Sequence, residues 1–291
     1  MKKSFLPTLC IIGSGITWGC TGIFTTLLSR EGFNSAQISA FRMISAAILL
    51  SLYILIKDKS FYKIKISNLP ILIAIGAISI FGASFCYFAS IEASSIAIAC
   101  ILMYTSPFIV IIASIFLYKE KLTIKKFISL ILAFIGCVFV SGTGNVSIKG
   151  IIFGLMAGVT YGTYSLFCKN ALTKMNSYTI MLYGFIIAAL CSFCSTDVIS
   201  AIQSVSNFKT VLLILGIGTL TSIVPYLLYS YGLKKTEAGK AAILAMIEPL
   251  VATIVSVFVF RQPLTPLAFL GILLIILGVI IIEIKVKKNE N

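Results

Sequence analysis

Apolar residues run along this chain in ten long blocks that are separated by short polar segments. Within each block the apolar residues are continuous and do not alternate with polar ones, which indicates helices rather than the strands of a membrane barrel. A helix needs about 20 apolar residues to cross the hydrocarbon core of a bilayer. The pattern therefore predicts an all-α integral membrane protein with ten transmembrane helices. We place them at residues 7–29, 36–56, 69–90, 95–118, 123–141, 148–168, 177–196, 209–232, 238–260 and 264–284.

The composition leaves no room for a large soluble domain. The chain has 291 residues, of which 59% are hydrophobic and 11% are charged, and its mean hydropathy is +1.09. Soluble domains carry about 25% charged residues, and ten membrane helices take up roughly 200 residues. Lys2 and Lys3 precede the first apolar block as in a signal peptide, but the block is too long for one. We therefore expect the N-terminus to be retained.

Positive charges are distributed unevenly between the two sides of the membrane. With the N-terminus inside, the cytoplasmic segments hold 18 Lys and Arg residues, and the outer loops hold 4. Cytoplasmic loops of membrane proteins carry such an excess, so we predict a multi-pass plasma-membrane protein with both termini in the cytoplasm. The same lysines account for the net charge of +14, and we expect them to meet anionic lipid headgroups rather than nucleic acid.

Several kinds of chemistry have no support in the sequence. The chain has no His, its eight Cys are scattered, and the CxxC spacing of Cys191 and Cys194 has no second pair to complete a metal site. No phosphate-binding P-loop motif is present. We therefore expect no metal, no cofactor and no catalytic residues, and we interpret the chain as a protein that is not an enzyme. The sequence carries no signal for an oligomeric state.

An internal repeat relates the two halves of the chain. Residues 99–136 align with residues 241–278 without a gap, and 12 of the 38 positions are identical. The matches include Pro107 with Pro249. We call this register the repeat alignment; in the first helix of each half the shift is one residue longer, so that residues 15–19 align with residues 158–162. Because proline and glycine matches are rare in a chain rich in isoleucine, we interpret the similarity as a true repeat.

Each repeat contains five predicted helices, which sets the symmetry of the fold. An odd number of helices makes the second copy enter the membrane from the opposite side, so the copies are inverted about a pseudo-twofold axis in the membrane plane. We divide the chain into residues 1–146 and residues 147–291. Inverted repeats are typical of transporters, because two equivalent halves can alternate which side of a central site is open.

Two charged residues fall inside predicted helices. Glu248 lies about ten residues into the ninth helix, roughly 15 Å deep, and Arg42 lies roughly 10 Å deep in the second. A charge at the centre of a bilayer costs about 2.5–3.5 kcal/mol on insertion scales, so each needs a reason. One interpretation is structural, with the two charges paired to each other or to backbone carbonyls. In the functional interpretation, Glu248 binds a substrate cation or a transported proton, and Arg42 binds a carboxylate.

Aromatic residues and two prolines complete the set of candidate substrate-binding groups. Trp18 and three of the tyrosines lie in the middle of their helices, where an aromatic belt at the membrane surface cannot explain them. A cage of such rings suits an amphipathic or cationic solute. Two prolines should break helices 4 and 9 at matching depths, and interior packing is the alternative role for rings and prolines alike. The candidates are Trp18, Arg42, Tyr87, Tyr104, Tyr161, Tyr226, Tyr229 and Glu248, with helix breaks at Pro107 and Pro249.

Local sequences in both halves resemble the EamA-type ten-helix transporters of the drug/metabolite transporter superfamily. The similar segments are residues 17–19 (TWG), 104–107 (YTSP), 116–123 (FLYKEKLT), 248–250 (EPL) and 262–265 (QPLT), together with Arg42. The resemblance covers the whole chain and implies a central cavity lined by helices 1–4 and 6–9, with helices 5 and 10 at the periphery. The chain departs from the family pattern at Gln262, where an acidic residue is usual. If that acid matters for gating, the two ends of this protein differ.

The repeat, the buried charges and the resemblance together predict a secondary transporter. We expect it to move a small metabolite, such as an amino acid or a related amphipathic compound, out of the cell by alternating access. A cation or choline-like uptake permease is the second interpretation, and a membrane enzyme or a non-transporting membrane protein is the third. An enzyme should show a cluster of acid–base groups, whereas this sequence offers Glu248 alone. The expected partners are a small-molecule substrate and membrane lipid, with proton coupling through Glu248 as a further hypothesis.

Overall fold

The computed structural model describes residues 5–284, and within this range the chain forms ten apolar helices without any β-strand. Nine of these helices are long and apolar enough to cross a bilayer, and α7 is shorter. Each apolar block of the sequence therefore corresponds to one helix. The ten helices are α1 (Leu6–Arg30), α2 (Ser35–Lys57), α3 (Ile66–Ala93), α4 (Ile96–Tyr118), α5 (Ile124–Ser141), α6 (Ile148–Ala171), α7 (Ser177–Ser192), α8 (Phe208–Leu233), α9 (Ala238–Phe258) and α10 (Pro266–Glu283).

Helix α7 is short, and most of its residues are buried by neighbouring helices. Its 16 residues span about 24 Å, against about 30 Å for the hydrocarbon core of a bilayer. Ile180 and Met181 have no exposed surface, and the helix packs against α2 and α3. A helix with little lipid contact does not have to match the bilayer thickness. It ends at Ser192, before its predicted end at residue 196, because Asp197 already caps the next short helix by accepting the N–H of Ser200.

Helices α4 and α9 are each divided into two segments at corresponding positions. Pro107 and Pro249 are the second residues of the second segments, where a missing N–H leaves no helical hydrogen bond unmade. The repeat alignment places one break on the other. Helix α1 has a further interruption at Cys20. The segments are Ile96–Met103 and Ser106–Tyr118 in α4, and Ala238–Ala245 and Glu248–Phe258 in α9.

Helices α3 and α8 each contain a wider, π-helical stretch. These stretches are Ala74–Gly82 and Thr219–Ile223. The repeat alignment places the first stretch on positions 216–224, so the two distortions correspond. Hydrophobic periodicity does not reveal such turns, which occur frequently at functional sites. Both copies of the repeat therefore share the same departure from regular helix.

The packing of the helices follows a two-fold relation between the repeats. Helix α1 packs against α8 and α9, and its counterpart α6 packs against α3 and α4. The pairs α2–α7, α4–α9 and α5–α10 each join a helix to its own counterpart. A pseudo-twofold axis in the membrane plane produces this pattern, so the fold consists of two inverted five-helix repeats.

Helices α5 and α10 approach each other closely through glycines. A Cβ atom at Gly136 would lie 2.6 Å from the carbonyl oxygen of Gly271, and one at Gly278 would lie 2.8 Å from the carbonyl oxygen of Ser129. The repeat alignment relates Gly136 to Gly278 and Ser129 to Gly271. One backbone contact is therefore repeated around the axis, and it requires small residues at both places.

Both ends of the described chain lie on one face of the bundle. The Thr8 hydroxyl of α1 donates to Oε1 of Glu283 at the end of α10, at 3.1 Å. Lys240, near the start of α9, forms an ion pair with the same oxygen at 2.7 Å. We call this the terminal face and the opposite one the distal face. Because successive helices alternate in direction, the odd-numbered helices begin at the terminal face.

Candidate functional site

A small cavity lies at the centre of the bundle, between α1, α4, α6, α8 and α9. Its volume is about 20 Å³, which is enough for about one water molecule. The broken sections of α4 and α9 contribute to its wall, so the cavity lies where the two repeats meet. The lining residues are Trp18, Tyr104, Ser106, Pro107, Val110, Tyr161, Gly162, Tyr164, Ser165, Tyr229, Ala242, Ala245, Met246 and Glu248.

Glu248 is the carboxylate of this cavity and the first residue of the second segment of α9. The hydroxyl of Tyr161, from α6, donates a hydrogen bond to Oε2 of Glu248 at 3.3 Å. The N-terminus of an 11-residue helical segment also favours a negative charge, because its free N–H groups and its dipole point toward it. The break in α9 and the Tyr161 hydroxyl together explain how a carboxylate is held this deep in the bundle.

An aromatic cluster centred on Trp18 forms one wall of the cavity. The centroid of the Trp18 ring lies 6.4 Å from that of Tyr161, 5.2 Å from that of Tyr226 and 5.5 Å from that of Tyr229. Tyr164 extends the cluster, at 4.9 Å from Tyr226. These separations are those of favourable edge-to-face and tilted pairs. The rings therefore support one another and give the wall a fixed shape.

Two further tyrosine hydroxyl groups of the cluster have partners inside the bundle. The Tyr229 hydroxyl and Ser165 Oγ are 2.7 Å apart, and the Tyr164 hydroxyl and Ser230 Oγ are 3.1 Å apart. Tyr164, Ser165 and Met246 also line the cavity, although they are not among the candidates predicted from the sequence. Of these three residues, Tyr164 could have been predicted from the sequence, because it follows Tyr161 by three residues and therefore lies on the same side of α6.

Arg42 lies apart from the cavity lining. Its Nη2 atom donates to Oγ of Ser84, on α3, at 3.1 Å. Among the residues that the structure describes, no ion pair joins Arg42 to Glu248. The structural interpretation that paired the two charges with each other therefore does not describe this conformation. The Ser84 hydroxyl accepts from the Arg42 guanidinium group, and the Tyr161 hydroxyl donates to the Glu248 carboxylate.

The remaining candidates are not part of the cavity lining. The Tyr87 hydroxyl contacts Sγ of Cys100 at 3.0 Å, and the Tyr226 ring packs against Phe185 with centroids 5.4 Å apart. Pro249 is buried next to Glu248 but is not part of the lining. The candidates that do line the cavity are Trp18, Tyr104, Pro107, Tyr161, Tyr229 and Glu248.

A larger groove opens toward the distal face, between the distal ends of α2, α3, α6 and α7. Its volume is about 630 Å³, which lies in the range of small-molecule sites. Ser39 lines the groove, and Arg42 lies about one helical turn further along α2, outside the lining. The lining residues are Ala36, Ser39, Phe81, Phe85, Phe88, Ala89, Glu92, Ala93, Ser147, Lys149, Phe153, Ser192 and Ser195.

Comparison with known proteins gives the same family for both halves of the chain. Residues 6–142 and residues 148–284 each match the EamA-like transporter family. The chain belongs to the EamA-like transporter family. It is therefore a membrane transporter of the drug/metabolite type, and its family points to transport rather than catalysis.

Relatives of this EamA-like transporter are named as transporters in archaea and bacteria. An uncharacterized transporter of Archaeoglobus fulgidus is 31% identical over 67% of this chain and 70% of its own. A second one from that organism is 27% identical over 97% of this chain and 99% of its own. Uncharacterized transporter YwfM of Bacillus subtilis is 24% identical over 99% of this chain and 97% of its own. A crystal structure with 17% identity covers 95% of this chain and 97% of its own with a TM-score of 0.78, which shows a shared fold.

At its terminal face, this EamA-like transporter is held together by a buried carboxylate. Glu120, in the loop after α4, is 7% exposed. It accepts the backbone N–H groups of Ala238 and Gly239, at the start of α9, at 2.6 and 3.2 Å. It also pairs with Lys169 of α6 at 3.0 Å and with Lys126 of α5 at 3.5 Å. One side chain thus joins four helices.

The electrostatics of Glu120 favour its charged form. Burial alone would raise the pKa of the Glu120 carboxyl, but the Ala238 N–H and the Lys169 ammonium group outweigh this effect and hold the pKa below its usual value. The carboxylate is therefore ionised at neutral pH and acts as a charged N-terminal cap of α9. The sequence does not predict this role, because Glu120 is flanked by Lys119 and Lys121 and looks like part of a solvated loop.

Proposed function

We propose that this protein is a secondary transporter of the plasma membrane that exports a small amphipathic metabolite, such as an amino acid or a related amine, by alternating access. The observation that carries the proposal is the position of Glu248 and the Trp18 aromatic cluster, in a cavity between the two inverted repeats. Inverted-repeat transporters bind substrate near the midplane at the interface between repeats, often at broken helices. The resemblance to ten-helix exporters implies the direction of transport.

The distribution of lysine and arginine supports the terminal face as the cytoplasmic one. That face holds the lysine-rich connections after α2, α4, α6 and α8, whereas the distal loops hold few positive charges. The groove of about 630 Å³ then faces the outside, and the Glu120 contacts face the cytoplasm. The residues Lys2, Lys3, Lys285, Lys287 and Lys288 add to the same bias but lie outside the described residues.

The chemistry of the cavity favours a ligand with a positive charge and an apolar part. A carboxylate attracts an ammonium group, and the face of a Trp or Tyr ring attracts a cation at about 0.5–2 kcal/mol. Arg42 would meet an anionic group of the substrate on its way from the groove to the cavity. An amino acid carries both charges. We assign the cationic end to Glu248 and the apolar end to the rings around Trp18.

Proton coupling is the second part of the proposal. Glu248 has a tyrosine hydroxyl as its hydrogen-bond partner in the described structure, and it forms no ion pair there. The sequence contains no His that could carry a proton instead. A carboxylate that binds a proton and a cationic substrate in turn couples the movement of one to the other.

A cation or choline-like uptake permease is the second candidate function. The observation that favours it is the same aromatic cluster next to a carboxylate, which suits a quaternary ammonium group. A substrate of this kind would not need Arg42, so replacing Arg42 separates the two candidates. If Arg42→Gln loses transport of a zwitterion and keeps transport of choline, the two substrates bind differently, and the zwitterion alone requires Arg42.

A flux assay in proteoliposomes tests the proposal. The purified protein is reconstituted with a panel of radiolabelled amino acids, amines and choline, and counterflow is measured at several pH values. Wild type should move at least one compound, and Glu248→Gln should fold and insert normally but lose transport, because the amide mimics the protonated acid and cannot release a proton. Glu31→Gln, which removes a carboxylate from the distal loop where it pairs with Lys209, should transport normally. Unchanged transport and pH dependence in Glu248→Gln would make Glu248 structural.

A further inference from the structure

The loops that follow α4 and α9 have the same backbone conformation. Each loop contains a residue with a left-handed φ, which is Lys119 (53°) in one loop and Arg261 (55°) in the other. In both loops the N–H of the next residue donates to the carbonyl oxygen six positions earlier in the chain. These N–H···O distances are 3.2 and 3.1 Å. The donating residue is Glu120 at the terminal face and Gln262 at the distal face. The two copies therefore differ in side chain and not in local structure.

The two side chains have different surroundings. Glu120 is buried and contacts two lysines and two backbone N–H groups of α9. Gln262 is exposed. Where the terminal face has Lys169 and Lys126, the repeat places Thr26 and Ala268 on the distal face. The distal face therefore lacks both the buried carboxylate and the two lysines that pair with it at the terminal face.

The Glu120 contacts also cross the boundary between the repeats. Glu120 belongs to the first repeat, whereas Ala238, Gly239 and Lys169 belong to the second. Helices α4 and α9, which these contacts join, are the two broken helices of the cavity wall. Any motion that opens the cavity to the terminal face by parting these helices must break the contacts.

We propose that Glu120 is a latch that closes the cytoplasmic side of the transporter, and that the neutral Gln262 leaves the outer side without an equal latch, so that the resting protein faces outward. The inference rests on the proposed alternating-access function and on the cytoplasmic assignment of the terminal face. In the inward-facing state, symmetry would bring Gln262 to the start of α4. Hydrogen bonds to an ionised group are roughly twice as strong as neutral ones, so the outward-facing state has the stronger closure.

Distance measurements between spin labels test the latch without any substrate. Labels attached through unnatural amino acids at Lys121 and Lys235, both exposed on the terminal face, leave the native cysteines in place. Wild type in lipid nanodiscs should show one dominant short distance. Glu120→Gln should add a longer distance and raise the ratio of long to short populations about tenfold or more, as expected when bonds to a charged group are replaced by neutral ones.

Two further variants make the test independent of damage to the fold. Gln262→Glu changes an exposed side chain, adds the missing outer carboxylate, and should also raise the long-distance population. Glu283→Gln removes a carboxylate from another terminal-face ion pair, with Lys240, and should leave the distances unchanged. Monodisperse elution in size-exclusion chromatography confirms that each variant is folded.

Unchanged distances in both Glu120→Gln and Gln262→Glu would overturn the latch, even if the protein transports every compound of the panel. An equal shift in the Glu283→Gln control would also overturn it, because the effect would then reflect a general loss of charge. Latch-dependent distances in a protein that shows no flux would support the latch and count against the transport proposal alone. The two failures are therefore distinguishable.

Discussion

Replacing Gly136 by alanine should weaken the contact between α5 and α10. The new Cβ would lie 2.6 Å from the Gly271 carbonyl oxygen and 2.7 Å from Cγ1 of Ile275. An ordinary contact needs roughly 3.5 Å, so the helices must move apart by roughly 1 Å, and such a gap forfeits a quarter to a half of each contact energy. Overpacking of this kind costs about 1–3 kcal/mol, and alanine returns up to about 1 kcal/mol of helix propensity. We expect a net loss of about 1–2 kcal/mol.

Thermal unfolding in detergent measures this loss. A loss of 1 kcal/mol in the free energy of unfolding lowers the melting temperature by about 2–4 °C in a chain of 150–250 residues. Gly136→Ala should therefore melt several degrees below wild type. Gly22→Ala is the matched control, because a Cβ at Gly22 meets nothing within 4 Å. It should be neutral or slightly stabilising. Equal melting temperatures for Gly136→Ala and Gly22→Ala would refute the close packing of the two inverted repeats at this interface.

Three further predictions concern orientation, pH and specificity. In a Cys194→Ser background, a membrane-impermeant thiol reagent added outside cells should label Lys149→Cys and miss Lys63→Cys; the reverse pattern would place the terminal face outside. Because the pKa of Glu120 is held below its usual value of about 4.3, its stabilising contribution is complete above that pH and is lost as the pH falls through the lowered pKa. Melting temperature should therefore fall more steeply below about pH 4 in wild type than in Glu120→Gln, and equal slopes would contradict this. Trp18→Leu should raise the half-saturating concentration of a cationic substrate about 2- to 30-fold, and an unchanged value would exclude contact with the indole.

Much of the fold follows from residues that act through simple local rules. Uninterrupted apolar runs of membrane length predict the helices, and the internal repeat with five helices in each copy predicts the inverted symmetry. The prolines at 107 and 249 predict breaks near the observed ones, because proline fits only the first turn of a helix. The length of α7 could not be predicted in this way, because it depends on enclosure by neighbouring helices.

The site is less accessible to sequence reasoning than the fold. Glu248 and the mid-helix aromatic residues stand out because charges and hydroxyls in a bilayer need partners. Which of them share a cavity depends on helix rotation, so Tyr87 and Tyr226 are absent from the lining, whereas Ser165 and Met246 are part of it. Glu120 belongs to the segment 116–123 that resembles the family, but its burial could not be predicted, because the burial arises from α9, which lies far away along the chain.

Intrinsic fluorescence tests the central claim most directly, because Trp18 is the one tryptophan of the chain and lies in the wall of the cavity with Glu248. A compound that the protein transports is titrated into the purified protein, and the emission of Trp18 is recorded. If the cavity is the transport site, the emission changes saturably in wild type with the half-saturation seen in flux, and Glu248→Gln weakens that response for a cationic compound while Glu31→Gln does not. A transported compound that leaves the Trp18 emission unchanged at saturating concentration would contradict the account.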